Sequence, residues 1–387
     1  MSAVLGTYNR RNISFLKGKG CYLYATNGEK YLDFVSGIAV NSLGHCHDHL
    51  VQTVQKQSEQ LWHVSNAFII PEQEKLAQRL VDNTFADYVV FMNSGAEATE
   101  ASIKIARKYF HEIGKPEKNR IITFTGAFHG RTLASLFAAN NPEHVKGFGP
   151  RVDGFDQVSF GDHDALKKAI NKNTAAIMVE TILGEGGIRV LPNECLVGLR
   201  KLCDEHDILL ILDEVQCGVG RTGKFFAFEW SGIEPDIVPI AKGIGGGFPI
   251  GACLVNQKVS VGMKPGTHGS TFGGNPLAMS VGNAVLDIIL KKGFLENVQE
   301  VGFYFEKQLK QLQEKYPNVV SDVRGKGLLR GIQIKGDSVK FLDQLFNNKM
   351  LGVKASDNII RLLPPLIVSK QEIDEAIIII EKTITEF

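Results

Sequence analysis

Five apolar runs that each stop at a polar or charged residue constrain this chain more than any other feature. The run 88–92 stops at Asn93-Ser94, and 121–124 leads into a turn carrying Phe128 and His129. The run 175–179 stops at Glu180, 208–212 at Asp213-Glu214, and 237–241 at Lys242. A further run, 251–255, follows soon after, and the stretch 96–110 between the first two has helical spacing. Strands that are apolar throughout and alternate with helices predict a mostly parallel sheet covered on both faces. Ligands of such sheets lie beyond the carboxyl ends of the strands. Asn93-Ser94, Phe128, Glu180, Asp213 and Lys242 are therefore expected at one edge. After about residue 280 the pattern changes to a helix around 303–309, short strands at 328–334 and 358–363, and a last helix from about 371. A large α/β domain followed by a smaller α+β domain is expected.

Composition narrows the function classes. Lys+Arg number 43 and Asp+Glu 42, a formal net charge of +1, so charge gives no reason to bind nucleic acid or an anionic membrane. No apolar run exceeds five residues, too short to span a bilayer. Six scattered cysteines without a CxxC pair, and an N-terminus without an apolar core, predict a cytoplasmic protein with reduced thiols. Glycine, 40 of 387 residues, exceeds the usual share of roughly 7%, so the backbone must turn tightly or approach a ligand closely.

Two motifs point elsewhere and fail on their chemistry. Residues 218–224 have the spacing of a nucleotide P-loop, but Phe225 stands where Ser or Thr must hold magnesium. The stretch 45–49, His-Cys-His-Asp-His, suggests a metal cluster, but adjacent residues cannot all point at one ion. No metal is expected.

The remaining candidates converge. A strand, small polar residues and a helix start at 93–97 bring free backbone N–H groups and the positive end of a helix dipole together, a phosphate cradle. Ser94 taken alone fits an N-cap equally well. Asp213 ends the most apolar strand, where a carboxylate is costly unless it faces a cation. Lys242 opens the run Gly243-Ile244-Gly245-Gly246-Gly247, which lets a flat ligand approach, and a lysine so placed can capture an aldehyde. A structural Asp–Lys ion pair is the plainer alternative, but it leaves the cradle, Phe128 and the glycines at one edge unexplained. Phosphate anchor, ring-stacking aromatic, carboxylate for a pyridinium nitrogen and aldehyde-capturing lysine together describe pyridoxal 5'-phosphate.

The stretch 210–216, Leu-Ile-Leu-Asp-Glu-Val-Gln, continuing through Asp236-Ile237-Val238 to Ala241-Lys242-Gly243, resembles the signature of the class III pyridoxal-phosphate aminotransferases. The likeness runs from about Tyr8 to the last helix. It implies a fold type I α/β transferase: a large domain at 51–279 with a mostly parallel seven-stranded sheet, and a smaller α+β domain at 280–387. An N-terminal segment, 1–50, would pack with the small domain. Lys242 would carry the cofactor and move the proton, and Asp213 would keep the ring nitrogen protonated. Glu214 and Val215 would flank the cofactor, with Gln216 near the ring hydroxyl. Gly95 and Ala96 would offer N–H groups to the phosphate, and Phe128 would stack on the ring. Thr271 resembles a residue that reaches the neighbouring subunit's phosphate, which implies an obligate homodimer with shared active sites.

The same resemblance makes Arg131 a fork for a carboxylate and Ser270 a donor contact. Glu185 and Arg361 resemble a pair that changes partners between half-reactions. Residues 36–45 are similar to the acetylornithine branch of the family, with small residues where ornithine-type relatives carry a bulky aromatic. The chain departs from the family pattern at Thr99, Thr181 and Leu183, where asparagine, proline and glutamine are common. The expected reaction moves the δ-amino group of N2-acetyl-L-ornithine to 2-oxoglutarate. Its rival donors are N-succinyl-diaminopimelate, succinylornithine, ornithine and 4-aminobutyrate. A cofactor-binding protein without transfer activity would have no need of two carboxylate-gripping arginines.

Overall fold

The computed structural model describes residues 3–387. Seven strands form the main sheet in the order Tyr88–Met92, Gly251–Val255, Ile237–Ile240, Leu209–Asp213, Thr174–Glu180, Arg120–Phe124 and Phe155–Val158. Gly251–Val255 runs antiparallel to both neighbours, and the other adjacent pairs are parallel. The strand Phe155–Val158, Phe-Asp-Gln-Val, gave no apolar run because it lies at the sheet edge with two half-buried polar residues.

Adjacent residues on these strands enter two separate cores, as side-chain alternation requires. Ile121, Met178 and Ile211 join one cluster with Ala98, Ile105 and Phe110 of the helix Gly95–Glu112. Ile122, Ile177 and Leu210 join the other, which continues into Leu286, Phe305 and Leu362. Each fully buried side chain of this size contributes roughly 1.5–3 kcal/mol. Such burial on both faces leaves only strand ends open to a ligand. Register then sets the edge: Asp213 lies opposite Glu180, so both carboxyls emerge together.

The N-terminal strands Phe15–Lys19, Tyr22–Ala25 and Lys30–Asp33 form an antiparallel meander that Met350–Leu351 extends in parallel. The chain's beginning is thus paired to its end, and Phe34 meets Phe305 edge-on at 5.7 Å. A second four-stranded sheet, Val320–Lys326, Leu329–Ile334, Ile359–Leu362 and Val353–Lys354, supplies Arg361 from a wholly buried strand. The helices Phe294–Lys315, Ser338–Asn347 and Lys370–Glu386 pack beside these sheets. Among the described residues, no helix is long and apolar enough to cross a membrane.

Candidate active site

The strand ends open into a cavity of about 390 Å³, lined by Ala96, Phe128, Asp213, Gln216 and Lys242 among others. Lys242 follows Ile237–Ile240 and takes a left-handed backbone conformation, φ 46°. A non-glycine residue held there stores of order 1–3 kcal/mol, a strain that concentrates at functional sites. Its amine makes no hydrogen bond or ion pair among the described residues. Burial and then the charge of Arg361 lower its pKa, against the opposing pull of Glu185, Glu180 and Asp213. A lysine amine with a lowered pKa spends more time as the nucleophilic free base.

Beyond Lys242 lies a buried acid–base cluster. Asp213 accepts from His129 Nδ1 at 2.8 Å and from the Val215 N–H at 3.0 Å. His129 is buried and its Nε2 has no partner. Burial opposes its charge, but the hydrogen bond and charge of Asp213, with Glu180 behind, hold its pKa above the ordinary value. Glu180 accepts the Phe128 N–H at 2.9 Å and the Gly184 N–H at 3.2 Å. Burial pushes its pKa up to about 7, helped by the Asp213 charge and opposed by His129. One carboxyl thus ties the Phe128 turn to the turn that carries Glu185.

The turn expected as a phosphate cradle opens the helix Gly95–Glu112, and Ser94 is its N-cap, accepting from the Glu97 N–H at 3.2 Å. The N–H groups of Gly95 and Ala96 have no acceptor among the described residues. Glycines allow the close approach: a Cβ on Gly95 would lie 2.7 Å from Val215 Cγ1. One on Gly130, whose φ is 128°, would lie 3.0 Å from Ala96 Cα. Thr99 Oγ1 donates to the His129 carbonyl at 2.6 Å, locking this helix start against the Asp213 cluster.

Arg131 lines the cavity, and Arg361 reaches Gln216 on its lining. Arg361 is 1% exposed and pairs with Glu185 at 2.7 Å. It also donates to Gln216 Oε1 at 3.2 Å and to the Lys354 carbonyl at 3.1 Å, and its Nε has no partner. Gly184 makes room for this, since a Cβ there would sit 2.2 Å from Gln216 Oε1. Arg131 is exposed on the cavity wall, its guanidinium 5.4 Å from the centre of the Phe128 ring. Val40, which also lines the cavity, follows the turn Ser36–Ala39, whose four residues all have left-handed φ between 50° and 66°.

Glu214 and Ser270 are absent from the lining of this cavity, and Thr271, expected to serve the neighbouring subunit, lies outside it as well. Glu214, expected beside the cofactor, is turned away into the core, where it accepts from Thr181 Oγ1, the Ala227 and Phe228 N–H groups, and Cys217 Sγ. Adjacent residues leave a strand on opposite sides, so Asp213 and Glu214 cannot both face the cavity. Thr181 therefore braces Glu214, and Leu183 is buried. Thr271 is exposed outside this cavity. Ser270 accepts from Asn93 Nδ2 at 3.2 Å but lines a separate, larger cleft of about 870 Å³, with Asn66 and Gly273. His129 and Val40 line the cavity but were given no role by the sequence, whereas Glu180 was expected at this edge. In 45–49, His45 meets Asp33, His47 caps a helix and His49 meets Asp287, three separate partners.

Comparison with known proteins agrees across the chain. The family described as aminotransferase class-III matches residues 6–384. The acetylornithine aminotransferase of Agrobacterium fabrum is 56% identical over 375 residues, covering 97% of this chain and 94% of the relative. A structure of the Toxoplasma gondii ornithine aminotransferase, with partial occupancy of pyridoxal phosphate at its active site, matches with TM-score 0.93 and 32% identity. That match covers 99% of this chain and 92% of the other. The acetylornithine aminotransferase structure from Elizabethkingia anophelis matches with TM-score 0.87 and 34% identity over 99% of this chain and 96% of that one.

Proposed function

The chain belongs to the class-III aminotransferase family, and on that footing we propose that it moves the δ-amino group of N2-acetyl-L-ornithine to 2-oxoglutarate. The products are N-acetyl-L-glutamate 5-semialdehyde and L-glutamate, a step of arginine biosynthesis in the cytoplasm. The observation that carries the reading is the strained, unpartnered Lys242 amine in a cavity shared with the Asp213–His129 pair.

The family's cofactor is pyridoxal 5'-phosphate, and the residues present fit it: two free N–H groups at a helix start, a free amine, a flanking phenyl ring and a buried carboxylate. Gly95 and Ala96 would hold the phosphate, Phe128 and Val215 would flank the ring, and Lys242 would bind the carbonyl carbon. When bound, the cofactor supplies an electron sink for the substrate carbon.

The chain's own residues do the rest. Asp213 offers a fixed negative charge where a ring N–H would point, and His129 holds that carboxylate in orientation. The Lys242 amine accepts the proton from the carbon bearing the amino group and returns it later. Arg131 grips the donor's α-carboxylate through its planar fork. Glu185 neutralises Arg361 while the donor is bound, and the second carboxylate of 2-oxoglutarate takes its place in the other half-reaction. The cationic Arg361 thereby serves two substrates that differ by one carboxylate.

A homodimer with shared sites completes the reading. Ser270 and Thr271 lie next to the exposed Phe272, and Trp62, Phe68 and Ile69 are also exposed, an apolar set that calls for a covering partner. The test is a half-reaction without keto acid, using the cofactor-loaded protein and separate donors. Loss of the visible absorbance should be fastest with acetylornithine. Faster loss with ornithine, succinyl-diaminopimelate or 4-aminobutyrate would overturn the substrate and keep the reaction class.

A further inference from the structure

We propose that His144 is a positioning residue that presents Arg131 to substrate carboxylates. The inference rests on the aminotransferase reading of the cavity and adds a residue to it. After the helix Leu133–Ala139 ends at Asn140 in a left-handed conformation, φ 47°, the chain turns back into the short helix Pro142–Val145. Asn141 caps that helix by accepting the Glu143 N–H at 3.0 Å. The reversal returns His144 to the 128–131 turn.

Three side chains then fix one another. His144 Nε2 lies 3.3 Å from Arg131 Nη2. A guanidinium only donates, so Nε2 is the acceptor and the ring is the neutral tautomer with its proton on Nδ1. The imidazole stands edge-on to Phe128, ring centres 6.3 Å apart at 88°. Arg131 in turn lies over the Phe128 ring, its carbon 5.4 Å from the centroid. The charged groups facing His144 are Arg131, Glu185 and Glu143. Burial first and the Arg131 cation second lower its pKa, with the two glutamates opposing, so the acceptor nitrogen is available at neutral pH.

The consequence is for binding. A free arginine side chain explores many rotamers, and each one frozen on binding weakens affinity. Arg131 is solvent-exposed, so the core does not hold it; His144 and Phe128 do. Held in this way, the guanidinium keeps its remaining donors for a carboxylate.

The test titrates glutarate, which has the two carboxylates of 2-oxoglutarate without the ketone, into the cofactor-loaded protein by calorimetry. His144→Ala should weaken glutarate about tenfold, the scale of one side chain newly immobilised on binding. His144→Gln, whose amide oxygen can accept from Arg131, should stay within about twofold of the wild type. The KM for 2-oxoglutarate should rise in step with the glutarate Kd while kcat holds. Wild-type affinity in His144→Ala, an equal loss in both variants, or no glutarate binding by the wild type would overturn the proposal. A wild type that binds glutarate but transfers no amino group from any donor would tell against the aminotransferase reading alone.

Discussion

Replacing Glu185 by glutamine should make the protein favour the acceptor over the donor. Arg361 is 1% exposed and pairs with a Glu185 side chain that is 34% exposed, at 2.7 Å. Hydrogen bonds to charged groups contribute about 1.5–3 kcal/mol, and solvent at Glu185 puts this pair at the low end. The acceptor's second carboxylate must displace Glu185 before it can reach Arg361. A neutral glutamine competes less, so the acceptor gains about 1.4 kcal/mol, close to tenfold in affinity. Arg361 keeps Gln216 and the Lys354 carbonyl in the variant, so the cavity is not expected to collapse. Steady-state kinetics with both substrates varied should give a KM for 2-oxoglutarate about tenfold lower, and a KM for the donor unchanged or raised. An unchanged or raised KM for 2-oxoglutarate, with kcat intact, would refute the exchange of partners at Arg361.

The buried carboxyls and the apolar face give further expectations. Glu180, pushed up to about 7 by burial, keeps in the folded protein a proton that an unfolded glutamate loses near 4.3. The native state then binds more protons between those values, so this group makes stability fall as pH rises from about 4.5 to 7. Thermal melts at pH 5 and pH 8 should show a smaller loss in Glu180→Gln than in the wild type; equal losses would contradict the protonated carboxyl. Asp213→Asn removes the charge that His129 faces and should lower kcat roughly 100-fold or more. Stopped-flow measurement of the donor half-reaction checks this, and a loss under tenfold would count against the role. Phe272→Asp puts a charge on an exposed aromatic beside Thr271 and should shift sedimentation towards monomers, with activity falling alongside. An active, monomeric variant would contradict shared sites.

The parts of this site that were legible in the sequence are those carried by burial on both faces of the sheet. Continuous apolar runs ending at Asp213 and Lys242 marked strand ends directly, and a parallel sheet brings strand ends to one edge. Phe155–Val158 was not legible, because an edge strand with half-buried Asp156 and Gln157 loses the apolar signal. His129 stood in plain view beside Phe128, but its partner lies 84 residues away, and no local pattern announces such a pairing. Glu214 could have been read correctly, since period-two alternation sends it away from Asp213. The strain at Lys242 and in the turn Ser36–Ala39 is a tertiary effect: Lys, Ile and Ala have no propensity for positive φ, and only the packed surroundings hold them there.

The most direct test of the account asks which lysine carries the cofactor. The pyridoxal-phosphate-loaded protein would be reduced with borohydride, digested and analysed by peptide mass spectrometry. The account predicts one pyridoxyl-phosphate adduct, on Lys242, and its absence from Lys242→Ala. An adduct confined to another lysine, or none at all, would contradict the assignment of this cavity as the catalytic site.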